Sequence, residues 1–164
     1  MKKLLFVLSL LLVYKSNAQN TSSTISKDYH NDNIQSIVVY IGGDFSDREE
    51  KERFKKRIVN NIPHSIAIRN VIIEKRSSLD SPKDIILNDC KRENVTYCLK
   101  IMKVKGDFRL NTLSFNPSYE YRFETTLING LTDTILWKCV VDKSLMSSVK
   151  EIMNRAKRDG IFKE

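Results

Sequence analysis

The sequence predicts an α+β domain: a mixed five-stranded sheet in the order β-α-β-α-β-β-β-α, with its helices mainly on one face of a two-layer fold. Three observations carry this expectation. Ile37-Val38-Val39-Tyr40-Ile41 is a β-branched apolar run too short for a helix and closed by Gly42-Gly43, as a central strand would be. Three segments combine helix-start residues with apolar side chains spaced by about one turn. Three further stretches in the carboxyl-terminal half alternate apolar and polar residues with period two and are rich in aromatics.

Lys2 and Lys3 precede ten apolar residues from Leu4 to Val13, and Ser16-Asn17-Ala18 places small residues before Gln19. This is the layout of a cleaved secretory signal over residues 1–18, and its apolar run is too short to span a bilayer. Export to the periplasm or the exterior, as a soluble protein after cleavage, is therefore expected. Residues 19–35 are rich in Ser, Thr and Asn, which predicts a disordered leader. Residues 36–164 read as a single domain, long enough to bury a core.

The first helix is expected from Ser46 and Glu49 as a capping box, with Phe54, Ile58 and Ile62 spaced by four and Pro63 at its end. Ile66 to Lys75 reads as the second strand. Ser81 as N-cap with Pro82 at the first helical position opens the second helix, where Ile86 and Cys90 share a face. Three strands are expected over Val95 to Lys105, Tyr119 to Leu127 and Ile135 to Val141. A two-residue turn at Asn129-Gly130 would mix core and solvent residues on one face. A three- or five-residue turn, setting Phe123 opposite Trp137 and Tyr121 opposite Cys139, keeps the aromatics together. Ser148 and Glu151 are expected to cap the last helix, whose Val149, Ile152, Met153 and Ala156 form a stripe, with Gly160 as the left-handed residue after it.

The element order, the stretch Asn129 to Trp137 reading Asn-Gly-Leu-Thr-Asp-Thr-Ile-Leu-Trp, and the closing amphipathic helix resemble domains of unknown function in bacterial envelope lipoproteins. The layout is similar to the amino-terminal domain of TolB and to the outer-membrane lipoprotein activators of peptidoglycan synthases, over roughly Ser36 to Phe162. The resemblance implies protein binding in the cell envelope without chemistry. One feature departs from those lipoproteins: the first cysteine is Cys90, so no cysteine stands at the cleavage point to carry lipid.

Composition narrows function further. Three of the 28 basic residues lie in residues 1–18, leaving 25 against 20 acidic ones and a net charge of +5. The two signs are interleaved, as in Asp47-Arg48-Glu49-Glu50-Lys51-Glu52-Arg53, where a phosphate-tracking surface would concentrate one sign, so nucleic acid is not an expected partner. Gly42-Gly43 lacks the spacing of a phosphate cradle and is read as a strand terminator. Asp44, Asp47 and Glu49 lack the alternation of a calcium loop and are read as helix-start acids. His30 and His64 have no companions at metal-ligand or triad spacing, and no serine stands in a nucleophile motif. Neither a cofactor nor a metal is expected, and the protein is expected not to be an enzyme; an uncharacterised hydrolase and a periplasmic carrier of a small ligand are the alternatives.

Cys90, Cys98 and Cys139 allow three pairings with one thiol left over each time, and buried free thiols are slightly preferred over a disulfide. The connection Gly106 to Ser118 carries Phe108, Leu110, Leu113 and Phe115 where loops are usually polar. Either the flanking strands extend and these residues cover an edge of the core, or they contact an envelope protein partner.

Overall fold

A computed structural model describes residues 21–27, 29, 33–74, 80–104, 108–110, 117–119 and 121–163, of which 108–110 and 117–119 are described as backbone. The order is β1 (Thr21–Ile25), β2 (Ser36–Gly43), α1 (Arg48–Asn61), β3 (Ala67–Ile73), α2 (Pro82–Glu93), β4 (Tyr97–Val104), β5 (Phe108–Leu110), β6 (Pro117–Tyr119), β7 (Tyr121–Asn129), β8 (Thr134–Lys143) and α3 (Leu145–Arg158). Six strands form one mixed sheet in the spatial order β1-β8-β7-β4-β2-β3, while β5 and β6 pair with each other. β2 is parallel to both its neighbours, and the other ladders of the large sheet are antiparallel.

The apolar run of β2 is buried on both faces. Ile37, Val38, Val39, Tyr40 and Ile41 are all 0% exposed, which is why they read as a continuous run without alternation. Ile37, Val39 and Ile41 join a large cluster with Phe54 and Ile58 of α1, Phe123, Leu127, Trp137 and Val141 of the hairpin, and Val149, Ile152 and Met153 of α3. Val38 and Tyr40 join a smaller cluster with Ile86 and Cys90 of α2, Cys98 and Ile128.

Handedness explains this division. The chain steps from β2 to β3 in one direction through α1, then from β3 back past β2 to β4 through α2. Two right-handed crossovers that step in opposite directions must put their helices on opposite faces. Thus α1 and α3 share one face and α2 covers the other, where a two-layer arrangement was expected.

The sixth strand is β1, which lies in the stretch expected to be a disordered leader. It pairs antiparallel with β8 from Thr21 opposite Val141 to Ile25 opposite Trp137. Ser26 N–H donates to Leu136 O at 2.8 Å, and Arg155 of α3 donates to Thr21 O at 3.4 Å. Backbone pairing holds this segment, and the polar sequence Thr-Ser-Ser-Thr suits a sheet edge that faces water.

The β7–β8 register also differs from expectation. Leu127 lies opposite Trp137, Phe123 opposite Val141 and Tyr121 opposite Lys143. Asn129 pairs with Thr134, so the turn spans the four residues 130–133, and a register irregularity between Leu127 and Ile128 restores the parity that an even-numbered turn would lose. The expected grouping of Phe123, Trp137, Cys139 and Val141 on one face therefore holds, although their partners differ. Asn129 Oδ1 fixes the turn by accepting from Leu131 N at 3.0 Å and Thr132 N at 3.2 Å.

Two helix starts are displaced from the expected capping residues. Asp47, not Ser46, caps α1 by accepting from Glu50 N at 2.7 Å. Ser144 precedes α3 without a side-chain cap bond, and Ser148 is buried in its first turn with its hydroxyl donating to Leu145 O at 2.8 Å. The start of α2 is as expected: Ser81 Oγ accepts from Asp84 N at 3.2 Å and Pro82 opens the helix. Gly160, at φ 72°, follows α3 in the left-handed region.

Candidate functional site

The carboxyl ends of β2, β3 and β4 meet the start of α1, the place where open α/β sheets usually offer a crevice. Here the protein's own side chains occupy it. Lys103, at the end of β4, is 3% exposed, and its Nζ donates to Glu50 Oε1 at 2.9 Å and Oε2 at 3.0 Å. The ammonium also lies 3.9 Å from the centre of the Tyr121 ring and 5.1 Å from that of Phe45. Glu50 further accepts from Ser46 N at 2.7 Å and Ser46 Oγ at 2.9 Å. Burial pushes the Glu50 carboxyl up, but the hydrogen bonds from Lys103 and Ser46 outweigh it and hold the group below the usual carboxylate range.

A second carboxylate closes the same edge. Glu74, just past β3, accepts from Gly43 N at 2.8 Å and from the Tyr40 hydroxyl at 2.9 Å, while Lys51 Nζ donates to Glu74 O at 2.8 Å. Burial, followed by the Glu74 hydrogen bond, drives the Tyr40 hydroxyl above its ordinary range. The backbone amide that a phosphate cradle would offer at Gly42-Gly43 is thus taken by a carboxylate. Gly43 has φ 99°, and a Cβ there would strike the backbone of Lys103, so the close approach of β2 to β4 requires glycine. Outside this edge, a groove of about 630 Å³ runs past Phe45, Lys51, Ile73 and Glu74.

The alternation of β4 contained the signal that reading the sequence missed. Leu99 and Ile101 face the large core, so Lys103 follows at an inward position, and a lysine there needs a buried partner. Its partner was hidden because Glu50 lies 53 residues away on another element.

Lys103 and Tyr121 stand at the root of the Gly106 to Ser118 connection. Val104 pairs with Arg122, and beyond them Phe108 pairs with Tyr119, Arg109 with Ser118 and Leu110 with Pro117. Four positions separate Val104 from Phe108 and three separate Tyr119 from Arg122, so the outer ladder is one residue out of step with the inner one. The connection therefore includes a two-stranded arm hydrogen-bonded to itself and outside the ladders of the six-stranded sheet. Phe108 and Leu110 lie on β5; Leu113 and Phe115 lie outside the described residues, as do His30 and residues 1–20.

The three cysteines are buried and unbonded. Cys90 and Cys98 lie in the smaller cluster and Cys139 in the larger. Burial pushes the Cys90 thiol up to about 11 and the Cys139 thiol up to about 12, and it raises Cys98 as well. At neutral pH all three are protonated, which is unfavourable for nucleophilic chemistry. His64 is exposed in the turn after α1. Asp47 is engaged as a helix cap, and no group of three or more metal-capable side chains occurs among the described residues. No helix among them is long and apolar enough to cross a membrane.

The described residues thus form a six-stranded mixed sheet flanked by three helices, with an occupied carboxyl edge and a separate two-stranded ladder of β5 and β6. No protein-family model matches the chain, and no curated protein matches it in sequence. Among solved structures it is similar to the PelC dodecamer from Paraburkholderia phytofirmans, with a TM-score of 0.53 at 10% identity over 88% of this chain and 99% of that one. A second PelC structure from the same organism, of a substituted form, gives 0.53 at 16% identity over 84% of this chain and 95% of that one. Lipoprotein GNA1162 from Neisseria meningitidis is a looser neighbour, at TM-score 0.35, 10% identity, and coverage of 75% of this chain and 96% of that one. At these identities the likeness to PelC is one of fold. It gives no particular support to the TolB amino-terminal domain.

Proposed function

We propose that this chain is an exported, non-catalytic protein of the cell envelope that acts as a protein-binding accessory module through the β5–β6 arm. One observation carries the reading. β5, which carries Phe108 and Leu110, pairs with β6 in a two-stranded ladder outside the main sheet, and the neighbouring end of β4 is fixed by a buried ion pair. An apolar-bearing segment on a rigid base suits recognition, because the base removes part of the ordering cost of binding. The occupied carboxyl edge and the protonated thiols favour contact over chemistry. The fold shared with PelC, solved as a dodecamer, makes another copy of the same chain one partner class to include.

The test is Phe108→Ala combined with Phe115→Ala. The double variant is expected to lose capture of its envelope partner, or its self-association on a sizing column, while its melting temperature stays within about 2 °C of the parent. Unchanged capture and unchanged size would remove the arm as the contact surface. The groove beside Phe45 and Glu74 supports a second reading, a small-ligand carrier. A thermal-shift screen would reveal it as a concentration-dependent rise in melting temperature.

A further inference from the structure

We propose that the outer face of the α1 and α3 layer is a contact surface for an anionic phospholipid bilayer. The net charge of the chain is concentrated there. α1 and α3 together carry ten basic and four acidic residues, a net +6, whereas the rest of residues 19–164 carries fifteen and sixteen, a net −1. On the opposite face of the sheet, α2 carries three of each sign and is neutral.

The excess is exposed to water. Seven cations on the two helices are exposed, Arg48, Arg53, Lys56, Arg57, Lys150, Lys157 and Arg158, against two exposed carboxylates, Glu49 and Glu52. Those carboxylates are matched within α1, Glu49 by Arg53 at 3.1 Å and Glu52 by Lys55 at 3.7 Å. Among the described residues, no carboxylate pairs with Lys56 or Arg57.

The spread of the charge indicates the class of ligand. Arg48 to Arg57 covers about 14 Å along α1, and Lys150 to Arg158 about 12 Å along α3. A single phosphate or carboxylate would be met by cations converging on one point, whereas cations distributed along two helices match a plane of many anionic groups. Between the helices a groove of about 640 Å³ is walled by Lys56 and Arg57 and bordered by Met146, which is 51% exposed. An exposed apolar side chain among cations suits the headgroup boundary, where the one enters the interface and the others stay at its surface. This inference does not rest on the arm, so either proposal can fail alone.

The experiment uses the protein beginning at Gln19, which retains every described residue, with vesicles of neutral phosphatidylcholine and of phosphatidylcholine containing about one third phosphatidylglycerol. Co-sedimentation with the anionic vesicles at low salt is expected, with release at about 0.5 M salt, where screening is short-ranged. Lys56→Glu with Arg57→Glu should weaken partitioning roughly tenfold or more, from about 1 kcal/mol per basic residue at a charged surface. Lys83→Glu with Lys91→Glu changes the net charge equally on the α2 face and should leave most of the binding. If the first pair lowers the melting temperature, Lys56→Gln with Arg57→Gln is the comparison. The proposal is overturned by equal binding to neutral vesicles, by absence of binding to anionic ones, or by equal weakening from the α2 pair. Binding of soluble polyglutamate without binding to vesicles would likewise overturn it in favour of an acidic protein.

Discussion

The two faces of the sheet share the central strand β2 but are built differently. Under α1 and α3, twenty-three buried residues among those described form one cluster that includes Trp137, Phe54 and Phe123, with Phe54 and Phe123 stacked at 5.1 Å between ring centres. Under α2 the buried cluster holds seven of the described residues, two of them cysteines. The larger face carries the aromatic payload and the net charge; the smaller face is thin and neutral. One sheet can thus place most of its packing energy on one side and cover the other with a single capped helix, because β2 and β4 need burial on both faces while β7 and β8 contribute mainly to one.

The sharpest way to break this comparison is to excavate each face. Trp137→Ala removes a fully buried side chain whose Nε1 donates to Asp159 Oδ2 at 2.8 Å, and should cost about 4–5 kcal/mol. Ile86→Ala on the α2 face should cost about 2–3 kcal/mol. Denaturant midpoints give both values, and equal losses would mean that the thin face is no weaker than the thick one.

Glu50→Gln comes next. It leaves the Lys103 ammonium buried against a neutral amide and should cost about 3–4 kcal/mol. The effect depends on pH with a defined sign. Folding holds the Glu50 carboxyl below its ordinary value near 4.5, so its stabilisation is complete above that pH and is lost as pH falls through the folded-state value. The wild-type melting temperature should therefore drop on acidification below about pH 4.5 more steeply than that of Glu50→Gln. Parallel acid limbs would show that the pair is not what links α1 to the sheet edge.

The smallest contrast concerns the helix caps. Ser81 Oγ accepts from Asp84 N at the start of α2, whereas Ser144 makes no cap bond at the start of α3. Ser81→Ala should cost about 1 kcal/mol and Ser144→Ala less than about 0.5 kcal/mol. The reverse order would show that α3, on the large face, depends on its start more than its packing implies.

Much of the fold was legible where the signal is local. Ser81-Pro82, the Phe54, Ile58 and Ile62 spacing, and the run Ile37 to Ile41 each identified an element because capping, periodicity and β-branching act within a few residues. β1 was not legible, since Thr-Ser-Ser-Thr is polar on both sides and its order comes from hydrogen bonds to β8. The β7–β8 parity was legible from Phe123 and Trp137, but the pairing was not, because an irregularity at Leu127 and Ile128 shifts it without changing which residues face inward. At the candidate site, the apolar content of the arm was visible while its anchor was not: Lys103 and Glu50 become partners only when the end of β4 meets the start of α1.

The sequence by itself determined the types of the three helices and of β2, β3, β4, β7 and β8, most of their buried faces and the overall excess of positive charge, because each follows from the local chemistry of neighbouring side chains. Only the tertiary structure decided the strand order. By stepping from β2 out to β3 and back past β2 to β4, it sent α1 and α2 to opposite faces through right-handed crossovers. That choice brought α1 beside α3, concentrated the net charge on one layer and closed Lys103 onto Glu50. Such contacts are set by which strands become neighbours, and neighbourhood between distant segments is not written in any short stretch of the chain.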